Sequence, residues 1–273
     1  MRGMGTLEFP SAVTFFVGEN GSGKSTVLEG IAAAAGLPTV GSAPIARDAT
    51  MSAARTLGKA LRLTWEGPRS KRGFFLRAED FFGFTKQVAA QRAELQRELA
   101  ELPVQYENRS AKALELASRP LRASLADMER RYGADLDANS HGQSFIKLFQ
   151  SRFVPGGLHL LDEPEAPLSP HSQLGLLAML HEMVAQGAQF IVATHSPIVM
   201  GYPGATIYAF EDASVRAVEY EETEHYAVTR AFLDNPSRYL HHLIGDAAPA
   251  SQPLAAEPTP PRRRERRRST RNH

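Results

Sequence analysis

The chain has 273 residues, enough for one or two domains, and a formal net charge of +1. Its composition, 42% hydrophobic and 22% charged, is ordinary for a globular protein that folds in water. It has no cysteine, which excludes disulfides and thiolate metal sites. It also shows no apolar leader and no uncharged apolar run near the roughly 20 residues of a membrane span, so we expect a cytoplasmic protein without such a span.

The first part of the chain is organised around a glycine-rich loop. A short strand is predicted over 5–9, a buried strand over 12–17 and a helix over 27–34. The second strand and the helix flank a phosphate-binding loop pattern of Gly, four residues, Gly, Lys and Ser, written here as Gly18-Glu19-Asn20-Gly21-Ser22-Gly23-Lys24-Ser25-Thr26. Its glycines allow several N–H groups to point at one anion, and the helix adds partial positive charge. We therefore expect Lys24 to reach the β- and γ-phosphates of a nucleotide and Ser25 to bind Mg²⁺.

The middle of the chain changes character near Asp80. Before this residue the sequence predicts a loop and two strands, and after it the chain is charge-rich and helical, with breaks at Pro103 and Pro120. The predicted elements are a loop over 36–52, strands over 60–65 and 73–77, and helices over 81–102 and 110–132. We expect a helical insertion over 81–140 that is too short and too interrupted for a long coiled coil.

Two acidic residues, Asp162 and Glu163, follow a predicted apolar strand over 158–161. If this strand ends beside the phosphate loop, Asp162 can hold Mg²⁺ through water, and Glu163 can orient and deprotonate the attacking water. In phosphoryl transfer the protein mostly positions groups and stabilises charge. One metal-holding carboxylate and one base are therefore a sufficient set.

A third polar site follows the continuous apolar run 189–193, which is typical of a strand covered on both faces. Thr194 and His195 come next, at the end of this strand. His195 is placed to donate to the γ-phosphate or to the attacking water. The alternative is a capping or structural histidine.

The rest of the chain predicts helices, one hairpin and a basic tail. The helices are predicted over 144–153, 170–186, 223–233 and 236–244, and the hairpin joins 205–210 to 214–219. Residues 246–273 hold seven arginines and three acidic residues, and we expect a disordered tail after a head domain over 1–245. The run from Arg262 to Arg268 either binds nucleic acid through its charge or is a solvated end.

The order of these motifs resembles that of the ATP-binding-cassette ATPase superfamily. Within it, the chain resembles the compact soluble ATPases of the AAA-type, SMC-like group from about residue 12 to residue 244. The motifs that carry the resemblance are the phosphate loop, Ser140-His141-Gly142-Gln143, Leu160-Leu161-Asp162-Glu163-Pro164, Thr194-His195-Ser196-Pro197, Phe74 to Phe82 and Glu222-Thr223-Glu224-His225-Tyr226. The resemblance implies an α/β P-loop NTPase fold, with a mixed sheet flanked by helices and a helical subdomain, and Mg²⁺-dependent ATP hydrolysis. In this resemblance the phosphate loop corresponds to the Walker A motif, and Asp162-Glu163 corresponds to the end of the Walker B motif.

The resemblance also implies that two heads pair head to tail, as a transient homodimer that encloses two ATP molecules. Ser140, Gly142 and Gln143 match the signature that contacts the γ-phosphate of the partner's ATP. A single protomer would then bind ATP but hydrolyse it poorly. A simple helix cap is the alternative interpretation of these residues.

The sequence departs from the superfamily pattern in four places. His141 replaces a signature glycine, and Arg77 and Glu79 stand where transporter heads have Gln, so we expect Glu79 near the metal and the water. The loop after Glu163 runs to His171, where an Asp is usual. Related heads carry upstream strands with an aromatic residue that stacks on adenine, whereas this chain has only residues 6–9 in that place. The preference for ATP over GTP therefore follows from the resemblance alone.

Three functions remain open for such a head. The first is a DNA-associated, SMC-like ATPase, favoured by the basic tail. The second is the ATP-binding subunit of a membrane transporter, which the irregular signature and the missing Gln disfavour. The third is a non-hydrolysing switch, against which Asp162, Glu163 and His195 argue.

Overall fold

The structure, a computed structural model, describes residues 5–40, 51–67, 72–132, 141–211 and 214–244. The chain divides into two compact units between Thr229 and Arg230. Every described residue that the sequence analysis assigns to the phosphate, metal or catalytic site lies in the first unit. The predicted tail over 246–273 lies outside the described residues.

A six-stranded sheet forms the centre of the first unit. Its strands are β1 Val13–Val17, β2 Gly73–Arg77, β3 Leu158–Asp162, β4 Gln189–Ala193, β5 Thr206–Glu211 and β6 Ser214–Val218. Their order across the sheet is β2-β3-β4-β1-β5-β6. Neighbouring strands from β2 to β5 are parallel, and β6 pairs with β5 in the antiparallel direction. The mixed sheet and the hairpin that the sequence predicts are thus confirmed.

The helices of the described residues are α1 Lys24–Ala35, α2 Ser52–Ala60, α3 Ala78–Gln105, α4 Ala111–Tyr132, α5 His141–Arg152, α6 Pro170–Ala185, α7 Pro197–Met200, α8 Glu224–Asp234 and α9 Pro236–Ile244. All but α2 and α7 correspond to helices that the sequence predicts, with ends that differ by a few residues. None of the helices in the described ranges is both long enough and apolar enough to cross a membrane. The α/β fold class is confirmed.

Two predictions of local structure between the phosphate loop and β2 are wrong. Residues 61–65 form no strand, and α2 lies where the sequence indicated the end of a loop and the start of that strand. Close packing of α2 on α1 explains the helix: a Cβ on Gly30 would lie 2.7 Å from Leu57 Cδ2, and one on Gly58 would lie 2.9 Å from Ala33 Cβ. Two glycines thus bring the helices together, a contact that local propensity does not reveal.

Other local predictions also fail, for simple reasons. Residues 5–9 form no strand. Pro103 and Pro120 lie inside α3 and α4 and do not end them. Pro103 stands in the last turn of its helix, and Pro120 is exposed. A proline removes one helical hydrogen bond, and at such positions its ring need not displace core side chains.

The central strands are buried on both faces, so consecutive residues face opposite layers of helices. One layer of the core contains Phe15, Phe149, Leu161, Leu180, Phe190 and Val192. The other contains Phe16, Leu28, Met51, Leu160 and Ile191. Each such side chain contributes about 1.5–3 kcal/mol on burial. The carboxyl ends of these strands are therefore held in place by the packed core.

His159 belongs to this core and not to the site. Its ring lies 4.9 to 5.1 Å from the rings of Phe74, Phe153 and Phe190. Burial lowers the pKa of His159 to about 4, so the ring is neutral at ordinary pH. It acts as an aromatic core residue.

Candidate functional site

The phosphate loop joins β1 to α1 and depends on its glycines. Gly18, Gly21 and Gly23 have φ angles of 140°, 83° and 99°, which side-chain-bearing residues rarely adopt. Gly23 is the N-cap residue of α1. A Cβ on Gly18 would lie 2.5 Å from the backbone oxygen of Phe210, so the loop packs directly on β5. The loop therefore has the backbone conformation and helix start that a phosphate site needs.

Lys24 lies over this loop. Its Nζ donates hydrogen bonds to the carbonyl oxygens of Gly18 and Glu19 at 2.8 and 2.7 Å. Burial lowers the pKa of Lys24, and the charges of Glu163 and Asp162 partly oppose this effect. The ammonium group is thus held where the sequence predicts the phosphates, and carbonyl contacts can be exchanged for phosphate oxygens.

Ser25 and Asp162 meet across the strand ends. The Ser25 hydroxyl donates to Asp162 Oδ1 at 3.1 Å, which connects the first turn of α1 to the end of β3. Burial raises the pKa of Asp162 to about 7, an effect that the Ser25 hydrogen bond opposes. A hydroxyl and a buried carboxylate form the hard oxygen set that Mg²⁺ prefers, and a cation would stabilise the carboxylate charge. The two predicted metal residues thus fit Mg²⁺.

Glu163 has an unusual backbone. Its φ of 48° is the one positive value of a non-glycine residue within the described ranges. Its N–H donates to the carbonyl oxygen of Ala193 at 2.9 Å, so the end of β3 is tied to the end of β4. Its side chain is 44% exposed. Such strain persists where the surrounding structure enforces it, and it is common at active sites.

His195 lies beside Glu163, at the end of β4. Its Nε2 is 3.6 Å from Glu163 Oε1 and has no hydrogen-bond partner among the described residues. Its Nδ1 lies 2.8 Å from Nε2 of His225. Burial lowers the pKa of His195, and the nearby charge of Lys24 adds to this shift. The imidazole is therefore neutral near pH 7, with Nδ1 beside His225 and Nε2 facing the Glu163 carboxylate.

Glu165 and His225 both contact His195, although the sequence predicts no role for either of them. Glu165 Oε1 accepts a hydrogen bond from the His195 N–H at 2.7 Å, and burial raises the pKa of Glu165. His225 follows the start of α8, within a segment that resembles the compact ATPase group. That resemblance is the sequence feature that could have pointed to His225. For Glu165 the only such feature is its position two residues after Glu163.

A polar network holds the loop between β3 and α6 against the His195 segment. Ser196 Oγ donates to Gln173 Oε1 at 2.5 Å, and Gln173 Nε2 donates to the Leu168 carbonyl oxygen at 3.2 Å. Ser196 also caps α7 by accepting from the Val199 N–H. These bonds support the loop that carries Glu165.

Arg77, the last residue of β2, is paired with Asp80. Arg77 stands next to Asp162 in the sheet register and makes two hydrogen bonds of 2.8 Å to Asp80. Arg77 Nη1 also lies 3.8 Å from Glu29 Oε1. Glu79 lies in the first turn of α3. Its expected place near the metal stays a prediction.

The predicted signature is only partly within the described residues. Ser140 lies outside them, and Gly142 and Gln143 lie in the first turn of α5. A helix start is compatible with both interpretations of the motif, the second phosphate site and the simple cap. The contact of Ser140, Gly142 and Gln143 with a partner's nucleotide stays a prediction.

Two cavities flank the phosphate loop. One, of about 480 Å³, is lined by Glu19, Asn20, Glu163 and His195. The other, of about 870 Å³, extends from the loop to the β5–β6 hairpin and the start of α8. Both volumes lie within or near the range of small-molecule sites, about 300–1,000 Å³.

A family model described as an AAA domain matches residues 3–52, which include the phosphate loop. No curated protein matches the sequence.

The chain is also similar to solved structures at low identity. A cbiO1 structure from Clostridium perfringens, part of the ABC transporter complex cbiONQ, is 17% identical, with 85% of this chain and 86% of that chain covered and a TM-score of 0.40. An SMC head domain from Thermotoga maritima is 16% identical, with 78% and 92% covered and a TM-score of 0.39. An Smc head domain from Pyrococcus furiosus, bound to the C-terminal domain of ScpA, is 12% identical, with 81% and 92% covered and a TM-score of 0.36.

Proposed function

We propose that the chain is an ATPase head of the ABC/SMC type, which binds ATP with Mg²⁺ and hydrolyses it to ADP and phosphate. The observation that carries the proposal is the contact of 3.1 Å between Ser25 Oγ and Asp162 Oδ1, at the edge where Lys24, Glu163 and His195 also lie. A hydroxyl, two acids, a lysine and a histidine thus meet beside an anion-binding loop. This is a complete set for phosphoryl transfer to water.

Binding is assigned to the phosphate loop. N–H groups from Gly18 to Thr26 surround the β- and γ-phosphates, and Lys24 gives up its carbonyl contacts to neutralise their charge. Ser25 and Asp162 would hold Mg²⁺, with Asp162 acting through water. When bound, Mg²⁺ supplies positive charge to the phosphate oxygens and so lowers the barrier to attack.

Hydrolysis is assigned to Glu163 and His195. The Glu163 carboxylate accepts the proton of the attacking water as the oxygen–phosphorus bond forms, and ADP leaves with the electron pair. His195 donates its Nε2 proton in a hydrogen bond to the γ-phosphate. Because the Glu163 N–H is bonded to Ala193, the base and the histidine are held on neighbouring strands.

A paired state completes the proposal. Two heads associate head to tail, and Ser140, Gly142 and Gln143 of one contact the γ-phosphate bound by the other. A transporter subunit and a DNA-associated ATPase share this head, and the basic tail supports the second. We therefore expect DNA to stimulate ATP hydrolysis through the tail, which lies outside the described residues.

The first test separates hydrolysis from binding. Glu163→Gln keeps the shape of the side chain but removes the base, so we expect steady-state hydrolysis to fall by about 10²–10⁴-fold while ATP still binds. Glu182→Gln makes the same change on the exposed part of α6 and is expected to keep full activity. Turnover that is equal in the two variants would remove Glu163 from its role.

The second test addresses pairing and DNA. The rate per protomer should rise with protein concentration, because each site needs a second head, and a flat rate would contradict pairing. Addition of duplex DNA should raise the rate in the full chain but not after deletion of residues 246–273. No response to DNA in the full chain would contradict the DNA-associated role.

A further inference from the structure

We infer that Glu165 is a positioning residue for hydrolysis, whose carboxylate replaces a missing carbonyl of the sheet and so fixes His195 beside Glu163. This inference rests on the proposed function, which assigns hydrolysis to Glu163 and His195. Glu165 is given no contact with the nucleotide or the metal. It acts through the backbone of His195.

The register of β3 and β4 is the first argument. The two strands are parallel, and the Gln189 N–H at the start of β4 donates to the Gly157 carbonyl oxygen at 2.9 Å. In a parallel pair such bonds repeat every two residues along both strands. Continued past the strand ends, the same pattern would bring the His195 N–H to the Glu163 carbonyl oxygen.

The chain leaves this pattern at Glu163. The Glu163 N–H still follows it and donates to the Ala193 carbonyl oxygen at 2.9 Å. The φ of 48° at Glu163 then turns the chain, and the Glu163 carbonyl oxygen accepts from the Ala166 N–H at 3.1 Å. The His195 N–H therefore loses the main-chain acceptor that the sheet would provide, and a backbone N–H away from water needs another.

Glu165 supplies this acceptor from its side chain. Its Oε1 accepts from the His195 N–H at 2.7 Å, a short bond of the kind that a charged acceptor makes. The next N–H, that of Ser196, donates to the Thr194 hydroxyl at 3.1 Å. Two side chains thus hold the turn by which the chain leaves β4.

The surroundings of Glu165 agree with this use of its carboxylate. Burial raises the pKa of Glu165, and hydrogen bonds from the His195 backbone, from its own backbone and from the Thr194 side chain oppose the shift. Its second oxygen, Oε2, is buried and has no hydrogen-bond partner among the described residues. Because burial of a carboxyl group is unfavourable without hydrogen bonds, its contacts with the His195 segment are what favour this position.

Two different bonds therefore hold the proposed base and the histidine. The main chain holds Glu163, and the side chain of Glu165 holds His195. The His195 Nε2 then lies 3.6 Å from Glu163 Oε1. Without the Glu165 acceptor the His195 backbone is free to turn, and a displacement of about 1 Å at a reacting group can cost about 10²-fold in rate.

The test compares two uncharged replacements of similar size. Glu165→Gln keeps an oxygen that accepts the His195 N–H, whereas Glu165→Leu has none. With saturating ATP and Mg²⁺, Glu165→Leu should lower kcat by about 10- to 100-fold with ATP affinity within about 2-fold of wild type, and Glu165→Gln should restore most of the rate. Glu182→Leu, the same change at an exposed residue of α6, should keep the wild-type rate.

A double-mutant cycle shows whether Glu165 acts through the histidine. In the His195→Ala background, Glu165→Leu should cause no further fall in kcat, because the group that it positions is already absent. The amide proton of His195 gives an independent signal by NMR. It should resonate downfield in wild type and in Glu165→Gln, and should move upfield in Glu165→Leu.

The outcomes separate this inference from the proposed function. Equal rates of Glu165→Leu and Glu165→Gln, or additive effects of Glu165→Leu and His195→Ala, would overturn the positioning role. Full activity of His195→Ala would instead overturn the role that the proposed function gives to the histidine. If Glu165→Leu does not fold, Glu165→Ala takes its place, and a His195 amide proton that exchanges in wild type as fast as an exposed one would contradict the inference.

Discussion

His225 Nε2 lies 2.8 Å from His195 Nδ1, so one of these two nitrogens carries the proton of a hydrogen bond. Burial lowers the pKa of both rings, so both are neutral. If His225 is the donor, His195 carries its own proton on Nε2, 3.6 Å from the Glu163 carboxylate. The negative charge of that carboxylate favours this arrangement, in which His195 can donate to a phosphate.

The first prediction is that His225 positions the His195 proton. His225→Ala should lower the rate of hydrolysis by about 10-fold with little change in ATP affinity, because the tautomer is no longer selected. His225→Gln, which keeps an N–H donor, should restore most of the rate. Nitrogen NMR should show His195 protonated at Nε2 in wild type and in His225→Gln, but a mixture of tautomers in His225→Ala.

His181→Ala is the matched control for this prediction. His181 is exposed on α6, where Tyr202 is its hydrogen-bond partner at 3.4 Å. We expect wild-type rates and an unchanged His195 spectrum. Protonation of His195 on Nδ1 in wild type would contradict the role of His225, whatever the rates.

The second prediction concerns the stability cost of Asp162. Burial raises its pKa from 3.8 to about 7, so between these values the folded protein binds a proton that the unfolded chain does not. The free energy of unfolding therefore falls as pH rises through this window, and the loss is complete above it. Asp162→Asn should stabilise the nucleotide-free protein by about 2–4 kcal/mol at about pH 8 and have little effect at about pH 4.

Urea denaturation of the protein without nucleotide or Mg²⁺ measures this effect. Asp234→Asn, at an exposed residue whose carboxylate lies 3.7 Å from Arg230, is the control and should show no such gain. Equal stability of Asp162→Asn and wild type at both pH values would show that burial does not penalise the carboxylate.

The third prediction concerns the first glycine of the phosphate loop. Gly18→Ala combines an unfavourable φ of 140° with a Cβ 2.5 Å from the Phe210 carbonyl oxygen, so either the loop or β5 has to move. We expect a loss of about 2 kcal/mol or more in unfolding free energy and a large loss of ATP affinity. Thermal unfolding with and without ATP measures both.

Gly67→Ala is the comparison for this variant. A Cβ on Gly67 would meet no atom of the described residues within 4 Å, and its φ is not in the positive range. It should therefore leave stability and ATP affinity nearly unchanged. A Gly18→Ala protein with wild-type stability would show that the loop and β5 are not tightly packed.

The residues at the strand ends could be predicted because each follows a strand that the sequence shows clearly. Ser25 and Asp162 are 137 residues apart in sequence, but parallel strands end at one edge of a sheet, so their meeting follows from the pattern. Glu165 and His225 could not be predicted in the same way. Each contacts His195 from a loop or helix start 30 residues away, and no periodic pattern marks such contacts.

The helix α2 shows the same limit for the fold. Most of its residues, three Ala with Arg55, Leu57 and Lys59, are good helix formers, so the sequence contains a local helix signal that the loop interpretation overlooks. The close contact of α1 and α2 at Gly30 and Gly58, which the sequence does not reveal, then holds this helix in place. The buried strands β3 and β4 were predictable because their apolar runs, 158–161 and 189–193, are too short for a typical helix.

The hydrogen bond from the Glu163 N–H to the Ala193 carbonyl has a consequence for control of the site. It ties Glu163, the proposed base, to the end of β4, two residues before His195. A signal that moves only one of them has to break this bond and release the strained backbone of Glu163. Under the proposed mechanism, switching is therefore easier at the His225 side chain, or through the proposed partner head, than at Glu163 and His195 themselves.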